Sequence, residues 1–365
     1  MPGWVVTACG VEPSPRDLWP LEEELLAPNN GSAVVWCGSG SSALYMSYLA
    51  LSSREPDAAK PELIVPAISC HAPAAVADMA GLSVRTADVD AVYGMPTLTS
   101  IAARASARTK AVLFVHLYGH AMNLAEIQRW CATNGCCLIE DCAQALGARY
   151  EDGTAVGAYG DFVVHSFSPT KILECGGGAL VVKNEADGSV LLERLWKEPV
   201  WSELQASARA EMELGFRSLF YTLVARKRTR READISAEYM ARLPEYYPLF
   251  LRPFPSASRL AREWSSLADG LAQRLARAEL YCSLLEQGPW SLLQGWRKSG
   301  VCWRFSLLLD EAEKVVGFSE ALRRQSIHVS NHYWNLADFF RPDDQCPNAD
   351  SFGRSAVNFW VDSIA

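Results

Sequence analysis

Between residues 33 and 182 the chain alternates short apolar runs with stretches of helical spacing. Ala33–Cys37, Glu62–Pro66, Ser83–Val89, Ala111–Tyr118, Cys136–Asp141, Phe162–Phe167 and Ala179–Val182 read as strands. Helical spacing follows Gly38–Ser42 and recurs at 72–80, 97–105 and 123–133. Runs that are apolar on both faces and separated by helices predict a mostly parallel sheet covered on both sides. Such a sheet keeps its ligands at the carboxyl ends of its strands. Residues 1–30, with prolines at 2, 13, 15, 20 and 28, read as an extended lead-in with one short helix near Leu21–Leu26. Leucines at 260, 267, 271, 275, 280 and 284 predict a structural helix or helical pair within 256–287.

With 365 residues, the chain has room for two domains. It is 49% apolar but has no apolar run of about 18 residues, which argues against a spanning helix. The N-terminal segment has no basic region ahead of a long apolar stretch, so no signal peptide is expected. Eleven cysteines are scattered without zinc-type pairing, which points to a reducing cytoplasm and no structural metal. A net charge of −8 argues against a general nucleic-acid binder. The basic run Arg226–Arg231 reads as a solvated helix face or linker, with an anion site as the alternative.

Three places carry candidate chemistry. Lys171 stands between two apolar strands, after Pro169, which has no amide for a ladder bond, and before the flexible Gly176–Gly178. It is either an ordinary loop lysine or a desolvated amine, and a desolvated amine is a nucleophile towards a carbonyl. The turn Gly38–Ser42 is either a plain helix cap or a site where free amides, hydroxyls and the helix dipole meet an anion. Asp141 ends a buried strand, where it either caps the next turn or, with Gln144 three residues on, faces a cation or donor. A phosphate cradle, a buried carboxylate and a strand-end lysine together fit pyridoxal 5′-phosphate.

These residues also resemble a known family. Ser39–Leu44 is similar to the S-G-T-A-A-L turn of the DegT/DnrJ/EryC1/StrS pyridoxal-phosphate aminotransferases. Arg108–Gly119, Ile139–Ala145 and His165–Lys171 resemble that family's R-T-K-A-I-x-x-V-H-L-Y-G, I-E-D-A-A-Q-A and S-F-x-P-T-K motifs. The resemblance implies a fold-type-I α/β protein. Its large cofactor-binding domain, with a seven-stranded sheet, would span 1–235, and its small C-terminal α+β domain 236–365. It implies that Lys171 bonds the cofactor aldehyde, Asp141 pairs with the ring nitrogen and Gln144 bonds the phenolic oxygen. Gly40, Ser41, Ser42 and Ser166 would hold the phosphate, and Cys70 or His71 would lie against the ring. His332, in the fainter segment Val329–Trp334, is either a substrate contact or a loop residue.

The activity so implied is transfer of an amino group from glutamate or glutamine to a keto acceptor such as a keto-sugar, in a cytoplasmic homodimer. Another pyridoxal-phosphate reaction and a non-catalytic cofactor-binding protein are the alternatives. Several segments depart from the family pattern. Cys70 stands where relatives carry an aromatic. Leu195–Trp201 replaces their N-H-G segment, their G-Y-N-Y-R-M loop is not recognisable near Arg231–Ile235, and they usually add a closing helix beyond the position of Ala365.

Overall fold

The apolar runs assemble into one sheet in the computed structural model, which describes residues 3–7, 10–52, 59–184, 206–230 and 235–362. Leu195–Trp201 and Arg231–Asp234 lie outside the described residues. In chain order the strands are β1 (Trp4–Thr7), β2 (Gly10–Pro13), β3 (Ala33–Cys37), β4 (Glu62–Pro66) and β5 (Ser83–Ala87). They continue with β6 (Thr109–Val115), β7 (Cys137–Asp141), β8 (Phe162–Ser166) and β9 (Gly178–Val182). The order across the sheet is β2-β1-β3-β9-β8-β7-β6-β4-β5. The run β8-β7-β6-β4-β5 is parallel throughout. β9 runs antiparallel to both β3 and β8, because the short loop from Ser166 to Gly178 is too brief for a crossover.

The sheet has nine strands rather than the expected seven. Residues of the supposed lead-in form the hairpin β1-β2, with β1 parallel to β3 along what would otherwise be an open edge. Val5, Val6 and Val11 are buried there. Two four-residue strands give too few alternations to stand out in the sequence.

Helices cover both faces. Gly40–Leu51, Ala72–Met79 and the long helix Ala206–Arg230 pack with Val35, Leu63, Leu113, Ile139 and Val164 on one side. Leu98–Arg104 and Ala125–Thr133 cover Ile64, Val112, Phe114 and Leu138 on the other. Residues beyond the expected boundary at 235 return to the first face, where Tyr239, Leu243, Leu249 and Phe250 join the same core.

A second, antiparallel sheet comprises β10 (Trp290–Leu293), β11 (Arg304–Leu309), β12 (Val329–Ser330) and β13 (Ala356–Trp360), in the order β10-β11-β13-β12. The expected helical pair is Ala257–Trp264 and Leu267–Leu284. Leu275, Ala278 and Cys282 of the second helix pack onto this sheet. Among the described residues no helix is long and apolar enough to cross a membrane.

His120 is a buried polar group of the core, only 2% exposed, and among the described residues neither ring nitrogen has a hydrogen-bond partner. It meets the edge of Tyr93 instead. Burial lowers its pKa to about 4. The unfolded chain therefore takes up a proton near pH 6.5, the folded chain only near pH 4, and stability falls as pH drops through that window. Replacing His120 with Phe removes this proton uptake. Urea unfolding at pH 7 and pH 4.5 is expected to show a pH-dependent loss smaller by up to about 3 kcal/mol in His120→Phe than in the parent.

Candidate active site

Strand β3 ends in the turn that opens the helix Gly40–Leu51. Ser39 caps that helix, its Oγ accepting the Ser42 amide at 3.1 Å. The first-turn amides of Gly40 and Ser41 have no intrahelical acceptors and lie at the positive end of the helix dipole. Gly40 must be glycine for a local reason, since a Cβ there would lie 2.7 Å from Ser166 Cβ at the end of β8. The expected role of Ser42 does not match its placement. Its hydroxyl is fully buried, lies 2.9 Å from Ser39 Oγ and donates to the Phe250 carbonyl at 2.7 Å. Ser42 thus ties the turn to the chain that packs over it.

Gly40, Ser41 and Ser166 line a cavity of about 130 Å³ together with Cys70, Asp141, Gln144 and Lys171. Asp141, at the carboxyl end of β7, is 5% exposed. Its Oδ1 accepts the Ala143 amide at 2.9 Å, and among the described residues no donor is bonded to Oδ2. Burial raises its pKa above the usual carboxylate range, against the opposing pull of the Ala143 amide, Lys171 and His116. Such a carboxylate needs a cation. Gln144 is oriented by the Tyr118 amide, which donates to Oε1 at 2.9 Å, while Nε2 donates to Tyr333 Oη at 3.2 Å.

Glu140, one residue before Asp141, points to the other side of the strand. There it accepts from His116 Nε2 at 3.0 Å, the amides of Tyr159 and Gly160 at 3.0 and 2.9 Å, the Gly157 amide and the Tyr150 hydroxyl. Burial works to raise its pKa and is outweighed by His116, Tyr150 and Gly157, so the group stays below the ordinary glutamate value. Cys142 lies near enough to His116 and Glu140 for the three to resemble metal ligands, but the donors just named already engage both Glu140 oxygens.

Lys171 reaches the cavity from the loop after β8. That loop is closed by the Phe167 amide on Gly177 O at 2.9 Å and the Gly176 amide on Phe167 O at 2.7 Å. Closure uses left-handed backbone at Gly176 and Gly177, and at Thr170 with φ of 72°. Nζ lies 5.0 Å from the centre of the Trp303 ring. Burial lowers the Lys171 pKa below the usual lysine range. Asp141 and Cys70 oppose this, and Arg304 adds to it.

Cys70 and Lys171 also border a second cavity of about 700 Å³, which has Arg217, Arg304, Arg323 and His332 in its walls and, among the described residues, no aspartate or glutamate. His71 belongs here and not to the smaller cavity. Its ring stacks on Phe220 with centroids 4.2 Å apart and meets the edge of Phe216 at 4.6 Å. The structure therefore gathers every expected cofactor residue around the smaller cavity except Ser42 and His71. His332 lies in the larger one, stacked on Tyr333 at 5.2 Å. Burial lowers the pKa of His71 to about 3, helped by His332 and Arg217. It lowers that of His332 to about 4, helped by Arg304, Arg217, Arg323 and Lys171. Sequence reasoning missed Arg217, Trp303, Arg323 and Trp360. Trp303 directly precedes the strand that begins at Arg304, but no local pattern marked it or the others as cavity residues.

A two-sided α/β sheet with a strand-end lysine, carboxylate and glycine-serine turn around one cavity has the architecture of fold-type-I pyridoxal-phosphate-dependent aminotransferases. Residues 19–192 match the DegT/DnrJ/EryC1/StrS aminotransferase family. The chain is 35% identical over 182 residues to a UDP-N-acetyl-3-dehydro-alpha-D-glucosamine 3-aminotransferase of Acidithiobacillus ferrooxidans, covering 50% of this chain and 48% of that protein. The chain thus spans about half the length of the curated relatives it matches. The fold extends further than the sequence match. The structure of 3-amino-5-hydroxybenzoic acid synthase superposes with a TM-score of 0.71 at 18% identity, over 96% of this chain and 86% of that one. That of E. coli GDP-4-keto-6-deoxy-D-mannose-3-dehydratase with bound hydrated PLP gives 0.68 at 19% identity, over 95% and 88%.

The contact between Gly40 and Ser166 can be tested directly. Gly40→Ala is expected to lower stability by about 1–3 kcal/mol through overpacking, read by urea unfolding. It is also expected to weaken binding of inorganic phosphate and of pyridoxal phosphate together, read by calorimetric titration.

Proposed function

We propose that this protein is a pyridoxal-phosphate-dependent aminotransferase. It would move an amino group from an amino acid, glutamate or glutamine by family likeness, to a small keto acceptor of the keto-sugar type. The observation that carries this reading is the meeting of Lys171 and Asp141 in one cavity with the Gly40–Ser41 turn. The residues suit the cofactor. Asp141 Oδ2 has no donor among the described residues, so a protonated ring nitrogen would give this buried carboxylate a cationic partner. The close approach of Gly40 to Ser166 leaves a backbone cradle for a phosphate, with Ser41 and Ser166 hydroxyls beside it. Gln144 has a second Nε2 proton for a phenolic oxygen.

When bound, pyridoxal phosphate supplies an electron sink for the bonding pair released at the carbon that carries the amino group. Lys171 would hold the cofactor covalently. Once displaced by the donor, its amine would carry the proton between neighbouring carbons as base and then acid. Asp141 would keep the ring nitrogen protonated. Cys70 would border the ring. The larger cavity suits an anionic acceptor such as a nucleotide-linked sugar, because Arg217 and Arg323 lie in a wall that has no carboxylate among the described residues. His332 would contact that acceptor as a neutral ring. By the same family likeness the working form would be a cytoplasmic homodimer, with residues 1–235 as the large part and 236–365 as a small part whose Tyr239–Phe250 segment packs back on the large sheet.

A second reading keeps the cofactor and changes the reaction. By family likeness, Cys70 would leave the ring without its usual aromatic neighbour, and one protein of the same fold is named a dehydratase.

The protein incubated with pyridoxal phosphate and reduced with borohydride is expected to yield a cofactor-labelled peptide containing Lys171. Lys171→Ala should give no label and about 10²–10⁴-fold less turnover. Addition of glutamate or glutamine should convert the bound cofactor to its amine form. A label on another lysine overturns the site. Persistence of the aldehyde form with a broad panel of amino donors overturns transamination and leaves the second reading, which product analysis then tests.

A further inference from the structure

Thr170 is a β-branched residue with φ of 72°, a conformation that persists only where the surroundings impose it. The groups that impose it come from far along the chain. The Thr170 carbonyl accepts Trp303 Nε1 at 2.6 Å and Arg304 Nη2 at 3.5 Å. The next carbonyl, that of Lys171, accepts Arg274 Nη2 at 3.4 Å. Both arginines are buried, and they converge on Asp362, whose Oδ2 lies 3.2 Å from Arg304 and 3.9 Å from Arg274. The Arg304 guanidinium is also held between two rings, 4.5 Å from Trp303 and 3.9 Å from Trp360. Trp303 in turn donates its backbone amide to Tyr118 O at 3.0 Å and lies parallel to the Tyr118 ring. Its indole therefore holds the lysine loop through the N–H and carries Nζ over its face, 5.0 Å from the ring centre.

We infer that Trp303 and Arg304, braced by Asp362, are positioning residues for Lys171: they lock the Thr170–Lys171 bend and so aim the amine at the smaller cavity. Neither tryptophan nor arginine needs to touch the reacting atoms for this. The arrangement makes the aim of the lysine depend on the second sheet, since Arg304 begins β11 and Trp360 ends β13. The inference rests on the reading that Lys171 forms the covalent link.

The test compares two ligands. Pyridoxal phosphate bonds to a lysine, whereas pyridoxamine phosphate fills the same cavity without bonding. Trp303→Phe keeps an aromatic face and loses the N–H that holds Thr170. It is expected to slow formation of the borohydride-trapped Lys171 adduct by about tenfold or more, since small misplacements of a reacting group have effects of that order. The affinity for pyridoxamine phosphate should stay within about twofold of the parent. Asp362→Asn leaves Trp303 in place and releases the arginines, and a smaller slowing of the same kind is expected. Adduct formation at the parent rate in both variants overturns the inference. So does a parallel loss of pyridoxamine phosphate binding, which marks a general collapse of the site. A parent protein that forms no adduct at Lys171 overturns the functional reading itself, and the inference with it.

Discussion

Two opposite charges, the buried Asp141 and the half-buried Lys171, stand at the carboxyl ends of adjacent parallel strands, and the site is arranged around the cost of holding them there. Neither charge is comfortable there. Burial disfavours the charged form of both, raising the carboxylate pKa and lowering that of the amine. Each is the other's principal electrostatic support from across the cavity. In a medium of low effective dielectric that support is substantial, yet it leaves one carboxylate oxygen without a donor among the described residues. The position is tenable because a covered sheet offers few ways to relax. β8 is buried along its whole length and β7 over all but its first residue, so both strand ends are fixed.

Glu140 shows the alternative solution to the same problem one residue away. Its side chain is buried at least as deeply as that of Asp141, but the loop 157–160 supplies amides, and His116 and Tyr150 add donors. A carboxylate so fully engaged has little capacity for further chemistry. Its neighbour on the opposite face has the reverse character: it is incompletely satisfied and open to a ligand. The strand pleat alone separates the structural carboxylate from the reactive one.

Much of the first half was legible in the sequence because its information is local. The strands are apolar on both faces, the Gly-Ser turn ends one of them, and Pro169 with Gly176–Gly178 marks the lysine loop. The hairpin of residues 4–13 was hidden because its strands are too short to show a period. Ser42 was misread because a hydroxyl at a helix start can point inward as readily as outward. Only the later chain at Phe250 decides this, taking the hydroxyl as a donor to its carbonyl. His71 lies in the larger cavity because Phe216 and Phe220, on a helix that begins at Ala206, offer it an aromatic pocket. Trp303 was unreadable for a similar reason. It meets Thr170 across more than 130 positions of sequence, and no local pattern encodes that contact.

The larger cavity extends the same reasoning from the reacting centre to the substrate. Its histidines cannot supply positive charge near neutral pH, since burial and neighbouring arginines lower His71 to about 3 and His332 to about 4. The cationic character of the wall therefore comes from the guanidinium groups of Arg217, Arg304 and Arg323, with Lys171 at its border. Arg304 is engaged by Asp362, the tryptophan rings and the lysine loop, which leaves Arg217 and Arg323 to face an incoming anion. Arg323 is already aimed by the Val329 carbonyl at 3.2 Å and Asn331 Oδ1 at 3.1 Å. Arg217 projects from an exposed position on the helix Ala206–Arg230. On the proposed reading, an anionic acceptor would meet one fixed guanidinium and one adaptable guanidinium. Neutral His332 could then donate or accept a hydrogen bond and so orient a keto or hydroxyl group of that acceptor without a second charge beside Lys171.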